Sequence, residues 1–148
     1  MTNLIKATVL LTLILTVSAC GVSRKAQPIT GGLPVLTDSS ARIYFYRSKV
    51  PFLAAIEPVF LVDGKSVGKA VMNQVIYRDA KPGEYKITIS SDQENAIALS
   101  LKPGQAKYIK AYGTTSVVRT YHAIKEVGEE EALKELKGQK LLAPDTPD

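Results

Sequence analysis

Apolar and polar residues alternate with a period of two over much of the chain, and this pattern predicts β-strands. The most regular example is residues 84–90, in which Tyr85, Ile87 and Ile89 alternate with polar side chains. Such a strand buries one face and leaves the other in water. Residues 41–47 carry apolar and aromatic side chains on both faces, which predicts a strand covered on both sides. Further strands are predicted over residues 58–62, 65–71, 73–78, 97–101, 107–112 and 117–125.

Turn sequences separate these predicted strands. Asp63-Gly64 is a two-residue hairpin signal, because both central positions of a type I′ turn need a positive φ. Lys81-Pro82-Gly83 and Lys102-Pro103-Gly104 fit type II turns, in which proline presets φ and glycine accepts the positive φ. We therefore expect consecutive strands to pair as antiparallel hairpins.

One helix is predicted near the C-terminus, over residues 127–137. Glutamates occupy positions 129–131 at the positive end of the helix dipole, whereas Lys134 and Lys137 lie toward its negative end. Gly138 is expected to end the helix. The apolar stripe of this helix consists of Ala132, Leu133 and Leu136.

Seven or eight short strands followed by one helix predict the all-β class, as an antiparallel two-sheet sandwich with a C-terminal helix. Immunoglobulin and transthyretin domains are sandwiches of this kind. The domain is expected to span residues 41–142, with a disordered tail over residues 143–148. Residues 20–40, which contain many glycine, proline, serine and threonine residues, are predicted to begin at a lipidated N-terminus and form a flexible tether.

The first residues have the pattern of an exported protein. Lys6 precedes an apolar run at residues 7–17, which is about half of the roughly 20 residues that span a bilayer. The following segment, LTVSAC, ends in small residues before Cys20 and resembles the lipobox of bacterial lipoproteins. That resemblance implies removal of a signal peptide, residues 1–19, and attachment of diacylglycerol and an N-acyl chain to Cys20. An ordinary secretory signal that leaves a free thiol is the alternative.

The lipobox also implies a location. By resemblance to the sorting rule of enteric bacteria, aspartate after the lipidated cysteine favours the inner membrane, whereas this chain has Gly21. We therefore expect a lipid-anchored protein of the cell envelope, held in the outer membrane and facing the periplasm. Cys20 is the only cysteine, so a packed core must stabilise the domain without disulfides.

The charge of the chain narrows the choice of partner. The formal net charge is only +5, and the basic residues are scattered without a run of five or more. This scatter and the export signal argue against nucleic acid. A mild excess of positive charge is compatible with anionic lipid headgroups or cell-wall polymers.

No arrangement of residues indicates catalysis, a metal or a cofactor other than the lipid. His122 is the only histidine and lies in a predicted strand, where a structural role is expected. One cysteine and one histidine cannot provide the ligand spacing of a zinc site. Carboxylates that could serve as acid and base fall mostly at turns or strand ends: Asp38, Glu57, Asp63, Asp79, Glu84, Asp92, Glu94 and Glu126.

Two groups of residues are candidates for binding a partner. Residues 50–56 (VPFLAAI) are apolar for a loop, and Phe52, Leu53 and Ile56 either form an exposed contact site or plug the end of the sandwich. The second group has aromatic and basic side chains on neighbouring strands: Tyr108, Lys110, Tyr112, Arg119 and Tyr121. These side chains either bind sugars or acidic polymer or stabilise the sheet by themselves.

Several segments together resemble a known family. They are ARIYFYR at residues 41–47, FLVDGKSVG at 60–68, PGEY at 82–85 and EEEAL at 129–133. In this order they are similar to bacterial lipoproteins of domain-of-unknown-function family 2846, over residues 41–142. The resemblance implies a small exported sandwich domain, similar also to the surface-layer modules called PEGA domains. It implies no activity and no catalytic residues.

The sequence therefore predicts a non-enzymatic lipoprotein of the bacterial envelope, whose β-sandwich binds an envelope protein or a cell-wall polymer. Two alternatives stay open. A hydrolase of cell-wall glycans would need two carboxyl groups about 5 to 10 Å apart in a concave site. A periplasmic carrier of small molecules would need a sizeable apolar pocket inside the sandwich.

Overall fold

The computed structural model describes residues 26–30, 32–49 and 51–142. Within them the chain forms ten strands, one short 3-10 helix at Pro51–Leu53 and one α-helix, α1, at Glu129–Leu136. The strands are β1 Gln27–Pro28, β2 Ala41–Arg47, β3 Val59–Val62, β4 Lys65–Lys69, β5 Gln74–Ala80, β6 Gly83–Ile89, β7 Asp92–Leu101, β8 Ala106–Thr115, β9 Thr120–Val127 and β10 Lys140–Leu142.

The strands form two sheets that pack against each other through a shared apolar core. One sheet has six strands in the order β1-β10-β5-β2-β8-β9, and the other has four in the order β4-β3-β6-β7. The predicted all-β sandwich with a C-terminal helix is confirmed. Most neighbours are antiparallel, but β2 pairs with β8 and β10 pairs with β5 in parallel. A period of two residues does not encode strand direction, so the pattern could not indicate these pairs.

The turn residues at Asp63-Gly64 and Gly138 adopt the predicted positive φ, whereas Gly83, with a φ of 155°, does not form the predicted type II turn and begins β6. Asp63 and Gly64 both have positive φ, 50° and 76°, between β3 and β4. The carboxylate of Asp63 also accepts a hydrogen bond of 2.8 Å from the backbone N–H of Lys86, which gives this acid a structural role. Gly138 has a φ of 81° two residues after the last residue of α1, as expected where a helix ends.

Two apolar clusters lie on opposite faces of the six-stranded sheet. The cluster between the two sheets includes the fully buried side chains of Ile43, Phe45, Phe60, Ile87 and Ile109. The other, called the outer cluster, is completed by α1 and contains Tyr44, Tyr46, Val75, Tyr108, Val127, Ala132 and Leu136. β2 contributes to both clusters, so it is buried on both faces as its sequence predicted.

Some residues before β2, within the segment predicted to be a tether, contact β10 and the outer cluster. β1 pairs with β10, and the backbone N–H of Ile29 donates a hydrogen bond of 3.0 Å to Gln139. Ile29 and Leu33 pack against the outer cluster, so ordered structure begins before Ala41. The many glycine and proline residues of this segment gave no sign of these two contacts. Outside the described residues lie the predicted signal peptide, Cys20, residues 21–25 and residues 143–148.

Candidate functional site

Two connections emerge at one end of the sandwich, which we call the apical end. β2 and β8 run in parallel, and Arg47 at the end of β2 is paired with Ala111. The chain that follows β2, described at residues 48–49 and 51–58, is the apical loop and leads into β3. β8 continues to Thr115 and turns into β9 through residues 116–119, the hairpin tip. The parallel pairing therefore places both connections at the same end of the sheet.

The apical end exposes large apolar side chains. Phe52 is 76% exposed and Ile56 about half exposed in the apical loop, while Val118 is 91% exposed and Val117 fully exposed in the hairpin tip. We call these four side chains the apical surface. The described residues expose only two other large apolar side chains, Val35 and Leu133. Exposed apolar residues are common singly, but four of the six among the described residues lie in these two connections at one end of the sandwich.

Phe52, Leu53 and Ile56, which the sequence analysis grouped together, differ in exposure in the apical loop. The backbone N–H of Ala54 donates to Pro51 at 3.1 Å and that of Ile56 donates to Leu53 at 3.0 Å, which makes two tight turns in succession. These turns direct Leu53 into the interior, where it is buried, and leave Phe52 and Ile56 in solvent. Both outcomes that the sequence left open therefore occur within one loop.

The hairpin tip contains a pair of valines that sequence reasoning assigned to a strand. The backbone N–H of Ser116 donates to Arg119 at 2.8 Å, and the Ser116 hydroxyl accepts a hydrogen bond of 3.2 Å from the Arg119 N–H. β9 consequently begins at Thr120, not at Val117 as predicted. The β-branched side chains of Val117 and Val118 imitate a strand signal. The serine before them was the only local indication of a turn.

A buried arginine holds the apical loop in place. The guanidinium of Arg47 donates hydrogen bonds to the carbonyl oxygens of Leu53 at 2.7 Å, Ile56 at 2.8 Å and Ala70 at 3.1 Å. Burial lowers the pKa of Arg47. Among the described residues, no carboxylate bonds to this guanidinium, and its Nε has no partner. Arg47 occupies the inward-facing position after Ile43 and Phe45, a signal that sequence reasoning missed.

The only histidine lies in the interior near this arginine. His122 on β9 is completely buried, and neither ring nitrogen has a hydrogen-bond partner among the described residues. Burial and the charge of Arg47 lower the pKa of His122. The imidazole is therefore neutral at physiological pH and is poorly placed to exchange protons with a solvent-borne substrate.

The second candidate group does not form one surface. Tyr108 is buried and stacks on Tyr44, with ring centroids 5.3 Å apart and planes 10° apart. Lys110 is buried beneath α1, where its ammonium contacts Glu135 and lies 3.7 Å from Glu131. Tyr112 is half-buried on the same strand. Arg119 lies apart in the hairpin tip, with its guanidinium 4.8 Å from the ring centroid of Tyr121.

These outer-face residues attach α1 to the sheet. The hydroxyl of Tyr46 donates a hydrogen bond of 2.7 Å to Glu135, and burial together with this bond raises the tyrosine pKa. Burial opposes ionisation of Glu135, but hydrogen bonds from Lys110 and Tyr46 outweigh it and lower the carboxyl pKa. The Tyr108 hydroxyl donates to Glu129 at 3.3 Å. The glutamate-rich helix start thus has a structural explanation.

The candidate carboxylates are mostly engaged with other groups. Asp79 forms a two-pronged ion pair with Arg42, whose second prong, from Nη2 to Oδ2, measures 2.9 Å. Glu126 pairs with Lys107, and Asp92 accepts a hydrogen bond from Asn95 at 2.9 Å. In the described parts of the chain, no hydrogen bond joins two of the candidate carboxyl groups.

Two shallow grooves of about 460 Å³ each lie outside the sandwich core. One is lined by Lys107, Tyr108, Glu126 and Glu129 at the start of α1, and the other by the segment before β2. Over residues 26–30, 32–49 and 51–142, no group of three His, Cys, Asp or Glu side chains could hold a metal ion. None of the helices in this part of the chain is long and apolar enough to cross a membrane.

Comparison with known proteins supports a family assignment. A family model described as "Protein of unknown function (DUF2846)" matches residues 37–123, which is more than half of the chain. The match runs from just before β2 into β9, so it includes the apical loop, Arg47 and the hairpin tip. No curated protein and no solved structure matches the chain. The chain belongs to the DUF2846 family of proteins of unknown function.

Proposed function

We propose that this protein is a non-enzymatic, lipid-anchored protein of the bacterial envelope, whose sandwich domain binds another envelope component through the apical surface. The observation that carries the binding role is the concentration of Phe52, Ile56, Val117 and Val118 at one end of the domain. The lipobox that ends at Cys20 supports the anchor. Two or three acyl chains on one residue would make release from the bilayer very slow.

The proposed location follows from the lipobox alone. Gly21 after Cys20 favours the outer membrane, with the domain facing the periplasm. In that position the domain would meet proteins, lipid headgroups and cell-wall polymer. Arg47 supports a binding role for the apical loop, because a buried guanidinium that bonds to three carbonyls holds exposed apolar side chains in a defined arrangement.

The anchor and the binding surface are tested by separate variants in the native cell. Metabolic labelling with a clickable fatty acid should mark the wild-type chain and fail to mark Cys20→Ala. Crosslinking in intact envelopes followed by mass spectrometry should identify protein, polymer or lipid neighbours of the wild type, and the double variant Phe52→Gln, Ile56→Gln should lose them. The matched control is Leu133→Gln, because Leu133 on α1 has nearly the same exposure as Ile56, 45% against 46%.

Three results would count against the proposal. An unlabelled wild-type chain would remove the lipid anchor. Neighbours that survive in the apical double variant would place the binding surface elsewhere. Equal loss of neighbours in Leu133→Gln would show that the apical end has no special role.

A further inference from the structure

We propose that the partner of the apical surface is the lipid bilayer itself, into whose headgroup region the hairpin tip and Phe52 insert. This inference rests on the proposed function, because it names the partner of the surface described there. It assigns Val117, Val118 and Phe52 to the boundary between headgroups and acyl chains, and it assigns Lys49 and Arg119 to the lipid phosphates.

Hydrogen bonds between Ser116 and Arg119 close the hairpin tip. Because lipid chains offer no hydrogen bonds, the backbone of Val117 and Val118 would stay among the headgroups while the two side chains insert. In the tip, the Ser116 hydroxyl donates to the Arg119 carbonyl at 3.1 Å and accepts from the Arg119 N–H at 3.2 Å. The Ser116 N–H donates to the same carbonyl at 2.8 Å. The tip therefore presents two valine side chains on a turn whose ends are bonded to each other.

The backbone of the apical loop is also closed by hydrogen bonds. The carbonyl oxygens of Leu53 and Ile56 accept hydrogen bonds from Arg47, and the carbonyl of Pro51 accepts one from the Ala54 N–H. Phe52 projects from this closed arrangement and is 76% exposed. Phe52 is a large apolar side chain on a turn closed by hydrogen bonds, so it can enter the headgroup region without a rearrangement of that turn.

The charged residues beside these apolar side chains complement an anionic bilayer. Lys49 precedes the 3-10 helix and Arg119 follows Val118, and both are exposed. Arg119 lies over the ring of Tyr121, and tyrosine is frequent at membrane interfaces. The exposed acid of the apical loop, Glu57, has the ammonium of Lys69 at 3.9 Å. The apical end therefore offers cationic groups to phosphates and little repulsion.

The length of chain before the described residues favours the bilayer over a distant partner. Cys20 and Ala26 are six residues apart, and six residues span at most about 20 Å even when extended. β1 begins at Gln27, so a chain anchored at Cys20 would hold the domain at the membrane surface. A standard protein interface also needs about 20 to 30 residues on each side, far more than four side chains on two connections supply.

Tryptophan fluorescence can test this proposal, because the chain contains no tryptophan. A single introduced tryptophan is therefore the only one in the protein. Val118→Trp and Phe52→Trp report from the apical surface, and Val35→Trp is the matched control. Val35 is 94% exposed at the rim of the groove before β2, and it lies near the opposite end, beside the carbonyl of Pro34 that contacts Arg42.

The full acylated chain is reconstituted in vesicles of phosphatidylethanolamine and phosphatidylglycerol that carry brominated acyl chains. Bromine near the headgroup boundary should quench the apical tryptophans by about half or more, because insertion by 5 to 10 Å brings them to that depth. Val35→Trp should keep its full emission. Replacing phosphatidylglycerol with phosphatidylcholine, or raising the salt concentration, should reduce the apical quenching.

The outcomes separate this inference from the proposed function. Unquenched apical tryptophans in an acylated protein would overturn insertion while the anchor stands. Equal quenching of Val35→Trp would overturn it too, because the apical end would then have no preference. If mass spectrometry finds no acyl chain, the anchor fails, and quenching of Val118→Trp in added vesicles would still support insertion. Two apical reporters guard against misfolding of one, and circular dichroism checks each variant.

Discussion

Two buried arginines on the same strand have different hydrogen-bond partners. Arg42 and Arg47 lie five residues apart on β2, on opposite faces of the six-stranded sheet. Arg42 bonds to the carboxylate of Asp79 and stacks 4.4 Å from the ring centroid of Tyr77. Arg47 bonds only to backbone carbonyls. The hydrogen bond to Asp79 raises the pKa of Arg42, whereas burial lowers that of Arg47.

The difference shows what each charge is used for. Asp79 lies on β5, directly opposite Arg42, so that ion pair joins two strands that the sheet already holds together. The partners of Arg47 lie in the apical loop and at Ala70, where no ladder of hydrogen bonds holds the backbone. A guanidinium can serve several carbonyls at once because it has five donors in a fixed plane. We therefore expect Arg42 to hold β5 and the backbone at Pro34, and Arg47 to determine the conformation of the apical loop.

The largest effect is expected for Arg47→Met, which keeps the bulk and removes the donors. Three buried or partly buried carbonyls would lose the guanidinium, and among the described residues only that of Leu53 would keep another donor, the Ile56 N–H, so we expect the free energy of unfolding to fall by about 3 kcal/mol. The loss should appear as a lower urea midpoint, with proteolytic cleavage first in the apical loop. Arg42→Met is the matched variant on the same strand, and its proteolytic cleavage should not begin in the apical loop.

This comparison fails if the two variants behave alike. Two results would show that the carbonyl contacts do not hold the loop. One is cleavage of Arg47→Met that begins outside the apical loop, and the other is a smaller loss of stability in Arg47→Met than in Arg42→Met. Arg47→Lys gives an intermediate test, because it keeps the charge but cannot reach three acceptors from one plane.

A smaller effect is expected when the ion pair of Arg42 is weakened without changing its shape. Asp79→Asn keeps one acceptor and removes the charge, and Asp79 is half-exposed, so we expect a loss of about 1 kcal/mol in unfolding experiments. Glu130→Gln is the control, because it removes a largely exposed pair with Lys134 that contributes only about 0.3 kcal/mol. Equal effects of the two substitutions would mean that burial of Arg42 adds nothing to its ion pair.

The sequence indicated much of the fold and little of the apical arrangement, for physical reasons. The alternation over residues 41–47 and the Asp63-Gly64 turn are local signals, and both are found where predicted. The role of Arg47 depends on carbonyls up to 23 residues away, which carry no side-chain signature. Phe52 and Leu53 are adjacent apolar residues, and only the 3-10 turn decides which one faces solvent.

An effect no larger than that of Asp79→Asn is expected for His122, which lies in the interior near Arg47. Its pKa is lowered from 6.5 by burial and by the charge of Arg47, so the folded protein binds this proton less readily than the unfolded chain does. The contribution of His122 to the free energy of unfolding should therefore be fully present above pH 6.5. It should decrease as the pH drops below that value, until the pKa of the folded state is reached. His122 is the only histidine, so the pH window from 5 to 7.5 reports on it.

Two substitutions separate the charge of His122 from its unpaired nitrogens. His122→Leu should remove the decline of stability between pH 7.5 and 5 and should raise stability at pH 7.5 by about 1 kcal/mol, because two buried polar atoms without partners disappear. His122→Gln should remove the decline without the gain, since it stays polar but cannot ionise. Urea unfolding at each pH measures both. If His122→Leu is less stable than the wild type at pH 7.5, the imidazole has a hydrogen-bond partner. The inference that both ring nitrogens of His122 are unpaired would then be wrong.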